Sequence, residues 1–228
     1  MKKQSGFTLI ELAIVLVIIG LLLGGVLKGQ ELIQQAKIKN IVNDLNSVQV
    51  AYHGYIDRYR ATPGDDAGAV RWGSALVVGN ADGSIAGKYN AQVATPTTTD
   101  ESNLFWRDLR LSGFMTGAGS LAPGNAVGGI TGVQTGDANS KTLGTVLAST
   151  KGTATTGFSG PVLCTSNLPD KVAIAIDTQL DDGNIQTGAI RGFLQTTAGN
   201  TQPDIPADAD ATNYVETGTN YYTVCKAL

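Results

Sequence analysis

Glu11 is the only charged residue between Phe7 and Leu27, in a run that opens Phe7-Thr8-Leu9-Ile10-Glu11-Leu12 and is otherwise apolar. A carboxylate in such a segment needs a cation or strong donors, because isolating it in hydrocarbon is costly. Phe7 lies one helical turn before it. A cut between Gly6 and Phe7 would create a terminal amine able to pair with Glu11, in the same chain or a neighbouring one. That chemistry is ion pairing. A second group is Cys164 and Cys225, 61 positions apart. A third is Asn80 and Asp82, in Gly79-Asn80-Ala81-Asp82-Gly83-Ser84-Ile85, where side-chain oxygens alternate before a glycine as in the middle of a calcium loop. An EF-hand would place an acid two residues before Asn80 and a glutamate seven after Asp82, but Val78 and Tyr89 stand there. A polar turn is the favoured account of this segment, with calcium the weaker one. Asp181-Asp182-Gly183-Asn184 carries the same ambiguity and reads as a turn.

The element that must position Glu11 is the apolar run itself. As a helix, Phe7–Leu27 reaches roughly 31 Å, enough to cross a hydrocarbon core. A cleavable secretory signal carries its small-residue cleavage site after the apolar segment. Here no Ala-x-Ala pattern closes the run, and Lys28-Gly29-Gln30-Glu31 continues it as helix. The informative junction lies before the run, so cleavage there keeps the hydrophobic helix in the mature chain. Lys2 and Lys3 in the leader favour a cytoplasmic N-terminus. The bulk of the chain then lies on the far side of the inner membrane.

Gly6, followed by Phe7-Thr8-Leu9-Ile10-Glu11-Leu12 and an apolar helix, resembles the class III signal of type IV prepilins and type II secretion pseudopilins. The resemblance implies an α+β, pilin-like fold, a long N-terminal helical spine packed against a C-terminal antiparallel sheet. It also implies a structural, non-enzymatic subunit with three segments: a leader (1–6), a transmembrane and assembly helix (7–62), and a globular domain (63–228). A membrane-embedded prepilin peptidase would cut after Gly6 and N-methylate Phe7. The apolar helices would then bundle into a filament core, with Glu11 pairing to the amine of an adjacent subunit. The implied partners are other pilin-like subunits, the peptidase and the inner-membrane assembly machinery. The implied location is the inner membrane, then a surface pilus or a periplasmic pseudopilus. One departure is the absence of a proline just past the apolar stretch, the first proline being Pro63. It leans toward a minor pilin or pseudopilin.

Beyond the membrane run, Ile38, Ile41, Leu45, Val48, Tyr52, Tyr55 and Tyr59 alternate at spacings of three and four, a helical apolar stripe. Lys37, Asn40, Asp44, Ser47 and Arg58 fall mostly on the other side. Thr62-Pro63-Gly64 ends the pattern, giving one spine of about 80 Å. After Pro63 the composition turns to Gly, Thr, Ser, Asn and Ala. Ser112–Gly160 reads as long loops and short strands. A further helix is expected around Leu104, Phe105 and Leu109, capped by Thr98 and Glu101 and ended by Gly113. Val172–Ile176, Ala189–Leu194 and Tyr221–Val224 read as strands, with Asp182-Gly183 turning a hairpin between the first two.

An exported, oxidising compartment favours a disulfide between Cys164 and Cys225 over two free thiols, and similar pilins close a C-terminal loop in this way. Zinc is disfavoured, because the single histidine, His53, lies on the spine. Net charge is −3, and loss of Lys2 and Lys3 with the leader makes it −5, which argues against nucleic acid as a partner. No His-Glu-x-x-His, Gly-x-Ser-x-Gly or P-loop is present. Pro63-Gly64-Asp65-Asp66, Phe105-Trp106-Arg107-Asp108 and Asp177–Gly183 look like a pattern recurring in one group of bacterial pilin-like proteins, best read as turn and core residues. The competing functional reading is a membrane-tethered binding module, such as a tip adhesin, using its Gly/Thr-rich region 112–160.

Overall fold

The computed structural model describes residues 8–136, 147, 157–197, 199–205 and 213–228. Helix α1 (Leu9–Tyr59) is one continuous element of 51 residues, about 77 Å long. Its upper half buries Ile38, Ile41, Leu45, Val48, Tyr52 and Tyr55, with Tyr59 half-buried. The three-and-four spacing therefore marks the face on which the domain sits. Arg60 ends the helix in the left-handed region, φ 55°, and its N–H still bonds to the Ile56 carbonyl.

A short 3-10 helix (Ala67–Trp72) follows, then α2 (Glu101–Leu111), β1 (Thr131–Thr135), β2 (Pro161–Pro169), α3 (Asp170–Leu180), β3 (Ile190–Leu194) and β4 (Tyr221–Ala227). The four strands form one antiparallel sheet in the order β1-β2-β4-β3. The fold is thus α+β, with an apolar N-terminal spine followed by an antiparallel sheet. Strand β2 alternates between two cores from Val162 to Cys164, and an irregularity between Thr165 and Leu168 shifts the register so that Leu168 shares the face of Leu163. Leu163 and Leu168 face the spine core with Tyr55, Trp106 and Tyr222, whereas Val162 and Cys164 face a smaller core with Tyr89 and Phe193.

Several local expectations are corrected. Val172–Ile176 is not a strand but part of α3. The segment buries Val172, Ala173, Ile176 and Asp177, a helical spacing, against the spine, and this packing outweighs its β-branched content. Asp182-Gly183 consequently turns the chain from α3 toward β3 and is no hairpin between strands. The α2 cap also differs: Asp100 is the N-cap residue, and Glu101 turns its carboxylate elsewhere. Strand β1 falls within the stretch read as long loops and short strands, whereas β2 occupies positions not assigned to strand from sequence. Most of the Gly-rich stretch between them lies outside the described residues.

Both edges of the sheet are partly capped. On β1, the N–H groups of Thr131 and Thr135 donate to the carbonyls of Pro123 and Ile85. On β3, the N–H of Ile190 donates to Asp181 Oδ2 and that of Gly192 to the Ile185 carbonyl.

Candidate functional site

Glu11 lies in the first turn of α1, and Thr8 is its N-cap residue. The Thr8 N–H and hydroxyl each donate to Glu11 Oε2 at 2.8 Å, and the Glu11 N–H returns a longer bond of 3.4 Å to the Thr8 hydroxyl. This reciprocal arrangement is a capping box, and it satisfies donors that the first turn would otherwise leave orphaned. Gly6 and Phe7 lie outside the described residues. In sequence they precede the cap directly, so the bond between them falls before the helix starts.

None of the apolar window that follows Glu11 is buried by the chain's own domain. Leu9, Leu16, Leu21 and Leu27 are each at least two-thirds exposed, at 88%, 69%, 73% and 67%. An apolar helix of membrane-spanning length that its own fold does not cover requires lipid or other helices around it. Glu11 stands 27 positions below Ile38, the first buried spine residue, or about 40 Å away along the axis. Glu11 and the globular domain are therefore separate places.

Cys164 and Cys225 form a disulfide and stand directly opposite each other in the β2–β4 register. Both are fully buried. The bond joins the strand that enters the sheet centre to the one that ends the chain.

Asn80 and Asp82 form the polar turn read from sequence. Asn80 Nδ2 donates to Asp82 Oδ2 at 3.0 Å, and Ser84 caps Asp82 Oδ1 through its N–H and hydroxyl. Two further acids, which sequence reasoning did not connect with this loop, stand beside it. Asp65, after the spine, accepts from the N–H groups of Asp82 and Gly83. Glu101, on α2, accepts from those of Asn80 and Ala86. Carboxylate oxygens of Asp65, Asp82 and Glu101 lie within 4.8 Å of one another. Burial pushes Asp65 and Glu101 above the usual carboxylate range, against the pull of those N–H donors. The arrangement works as an anchor, two buried carboxylates gripping one loop by its backbone.

The first two motifs after the spine meet beside this loop, where the Gly64 N–H donates to Asp108 Oδ2. Tyr55 donates to Asp66 Oδ2 at 2.7 Å, where Arg71 also bonds at 2.7 Å. Burial alone would raise the Asp66 carboxyl, but Arg71 and Tyr55 outweigh it and hold it below its ordinary value. Asp177, buried on α3, accepts from Tyr214 and from the Gly183 N–H. These acids are structural ties, consistent with their reading as turn and core residues.

Residues 1–27 match the family model described as a prokaryotic N-terminal methylation motif. No curated protein and no solved structure matches the chain. The match supports a class III signal peptide of the type IV pilin and pseudopilin kind, on a chain whose first helix is apolar enough to cross a membrane.

Proposed function

We propose that this chain is a structural subunit of a type IV pilus-like or type II secretion pseudopilus filament. The peptidase that reads its leader cuts between Gly6 and Phe7 and N-methylates Phe7. The precursor is a single-pass inner-membrane protein with residues 63–228 on the periplasmic side, and residues 7–62 carry it into the filament. Its partners are copies of itself or other pilin-like subunits and the inner-membrane assembly machinery.

The observation that carries this reading is the union of the methylation motif with an unbroken helix whose lower half is uncovered. A simple anchor needs a span, but it has no need of a rigid 51-residue rod that leads directly into the domain core. Glu11 fits the same account. Both Thr8 donors engage Oε2, and among the described residues none engages Oε1, the oxygen that would take the Phe7 amine of an adjacent subunit.

The test is mass spectrometry of the mature N-terminus in a sheared filament fraction. N-methylated Phe7 as the first residue of an abundant filament component is the expected result. Recovery of the chain only from membranes, with the leader intact, would contradict it.

A further inference from the structure

The disulfide occupies the middle of a row that crosses the whole sheet. Gly132 on β1 stands opposite Cys164, and Arg191 on β3 stands opposite Cys225. The other face of the sheet is closed by the spine, α2 and α3. On the disulfide's face the small core takes no residue from any of the three α-helices, among the described residues. Tyr89, Leu147, Phe158 and Ile205, all from outside the named strands and helices, pack there instead. The bond is therefore roofed by loops, and any reagent must come through them.

We propose that residues 201–205 form a strap that gates thiol–disulfide exchange at Cys164–Cys225 in the folded domain. Among the described residues no backbone-to-backbone hydrogen bond holds this segment, and side chains do so instead. Tyr89, a member of the disulfide's core, donates its hydroxyl to the Pro203 carbonyl. Ser166 donates to the Thr201 carbonyl, and Asn90 Nδ2 to the Gln202 carbonyl and to Asp204 Oδ1. Lys88 pairs with Asp204 at 2.9 Å, their side chains 55% and 60% exposed. An exposed pair contributes little and is screened by salt, so the strap's outer fastening is weak. Strands β2 and β4, by contrast, are each bonded on both sides within the sheet. The strap can thus lift while the sheet stays whole, a local opening below global unfolding. The thiolate of a dithiol then attacks one sulfur, breaking the S–S bond and leaving a mixed disulfide and one cysteine thiolate, which takes a proton from water. The dithiol's second thiolate displaces the other cysteine, so the protein is reduced to two thiols and the dithiol is oxidised to its own disulfide. This gate is independent of filament assembly.

The experiment follows reduction of the full-length chain in detergent by excess dithiothreitol, with iodoacetamide and mass spectrometry counting the thiols released over time. Replacing both Asn90 and Asp204 by alanine should raise the rate by about tenfold, with the urea midpoint of the domain little changed. Lys88→Ala should raise it less, and Lys88→Arg, which keeps the ion pair, should restore the wild-type rate. Lys171→Ala removes a comparable exposed pair with Glu216 on α3 and should change nothing. The wild type supplies a reading that needs no variant: its reduction rate should depend on urea far less steeply than global unfolding does, because lifting the strap exposes little surface. A rate with the full urea dependence of unfolding would overturn the proposal, as would an Asn90 and Asp204 double variant that folds and is reduced no faster than wild type.

Discussion

The backbone N–H of Gly64 donates to Asp108 Oδ2 at 2.9 Å, across 44 positions of sequence. It fastens the turn after the spine to α2. Gly64 has φ +89°, and a Cβ there would lie 2.5 Å from the Glu101 carbonyl oxygen. Gly64→Ala should therefore destabilise the domain by about 2–4 kcal/mol, from backbone strain and displacement of α2 together. Urea unfolding measures this. An unchanged midpoint would mean that the turn tolerates a side chain.

The acids around this junction predict an unusual pH profile. Asp65 and Glu101 are raised, chiefly by burial, so the folded state holds their protons more tightly than the unfolded state does. Their contribution to stability grows as pH falls from neutrality toward the ordinary carboxylate range near 4. Asp66 and Asp170 are lowered, because hydrogen bonds outweigh their burial, and their contribution is lost as pH falls below about 3.8. Stability should peak on the acid side of neutral and then collapse. Glu101→Gln, a neutral stand-in for the protonated acid, should flatten the rise. Denaturant midpoints between pH 7.5 and 3 test both statements.

Loss of the disulfide should cost about 4 kcal/mol on the chain-entropy account, given a loop of 61 positions. Cys164→Ser or Cys225→Ser should lower the domain's melting temperature while leader removal proceeds. Because both sulfurs are buried, mild reductant should leave the native bond intact and cleave it only with denaturant present. Thiol alkylation with and without urea distinguishes the two conditions.

Gly6→Val should leave the precursor uncut, because a branched side chain would crowd the peptidase site before the scissile bond. Intact-mass measurement then finds residues 1–6 still attached. A mature N-terminus beyond residue 27 in the wild type would remove the assembly helix and end the filament reading.

Glu11→Val should insert in the membrane at least as well as wild type, be cut after Gly6, and enter filaments poorly. Two desolvated charges that pair offset each other's cost, and removing one leaves the other without its partner. Glu11→Asp should recover only part of the yield, because its shorter side chain reaches less far. Sheared-filament yield relative to membrane level is the measurement, and normal assembly of Glu11→Val would favour a plain anchor.

The spine was legible because its stripe obeys one period from Ile38 to Tyr59 and its lower run is apolar throughout. The disulfide was legible from compartment and number. Helix α3 was misread because Val172-Ala173-Ile174-Ala175-Ile176 is short and apolar enough to satisfy either period. What decides it is the spine, a partner more than a hundred positions away. Strand β1 has one large apolar residue, Val133, and exists where it does because Gly132 lets the Tyr89 backbone approach. A Cβ there would sit 1.8 Å from the Tyr89 carbonyl oxygen. The acid anchor was invisible for a related reason. Asp65, Asp82 and Glu101 are scattered in sequence, and only the folded chain turns them toward one loop.

The partly capped sheet edges bear on how a fibre of these subunits could be taken apart. With the outward N–H groups of Thr131, Thr135, Ile190 and Gly192 already bonded within the chain, those positions offer no ladder for a neighbour's strand to join. On the filament reading, contacts through helix faces would part and leave these backbone hydrogen bonds whole. A subunit drawn back into the bilayer would surrender apolar packing for lipid and keep its fold.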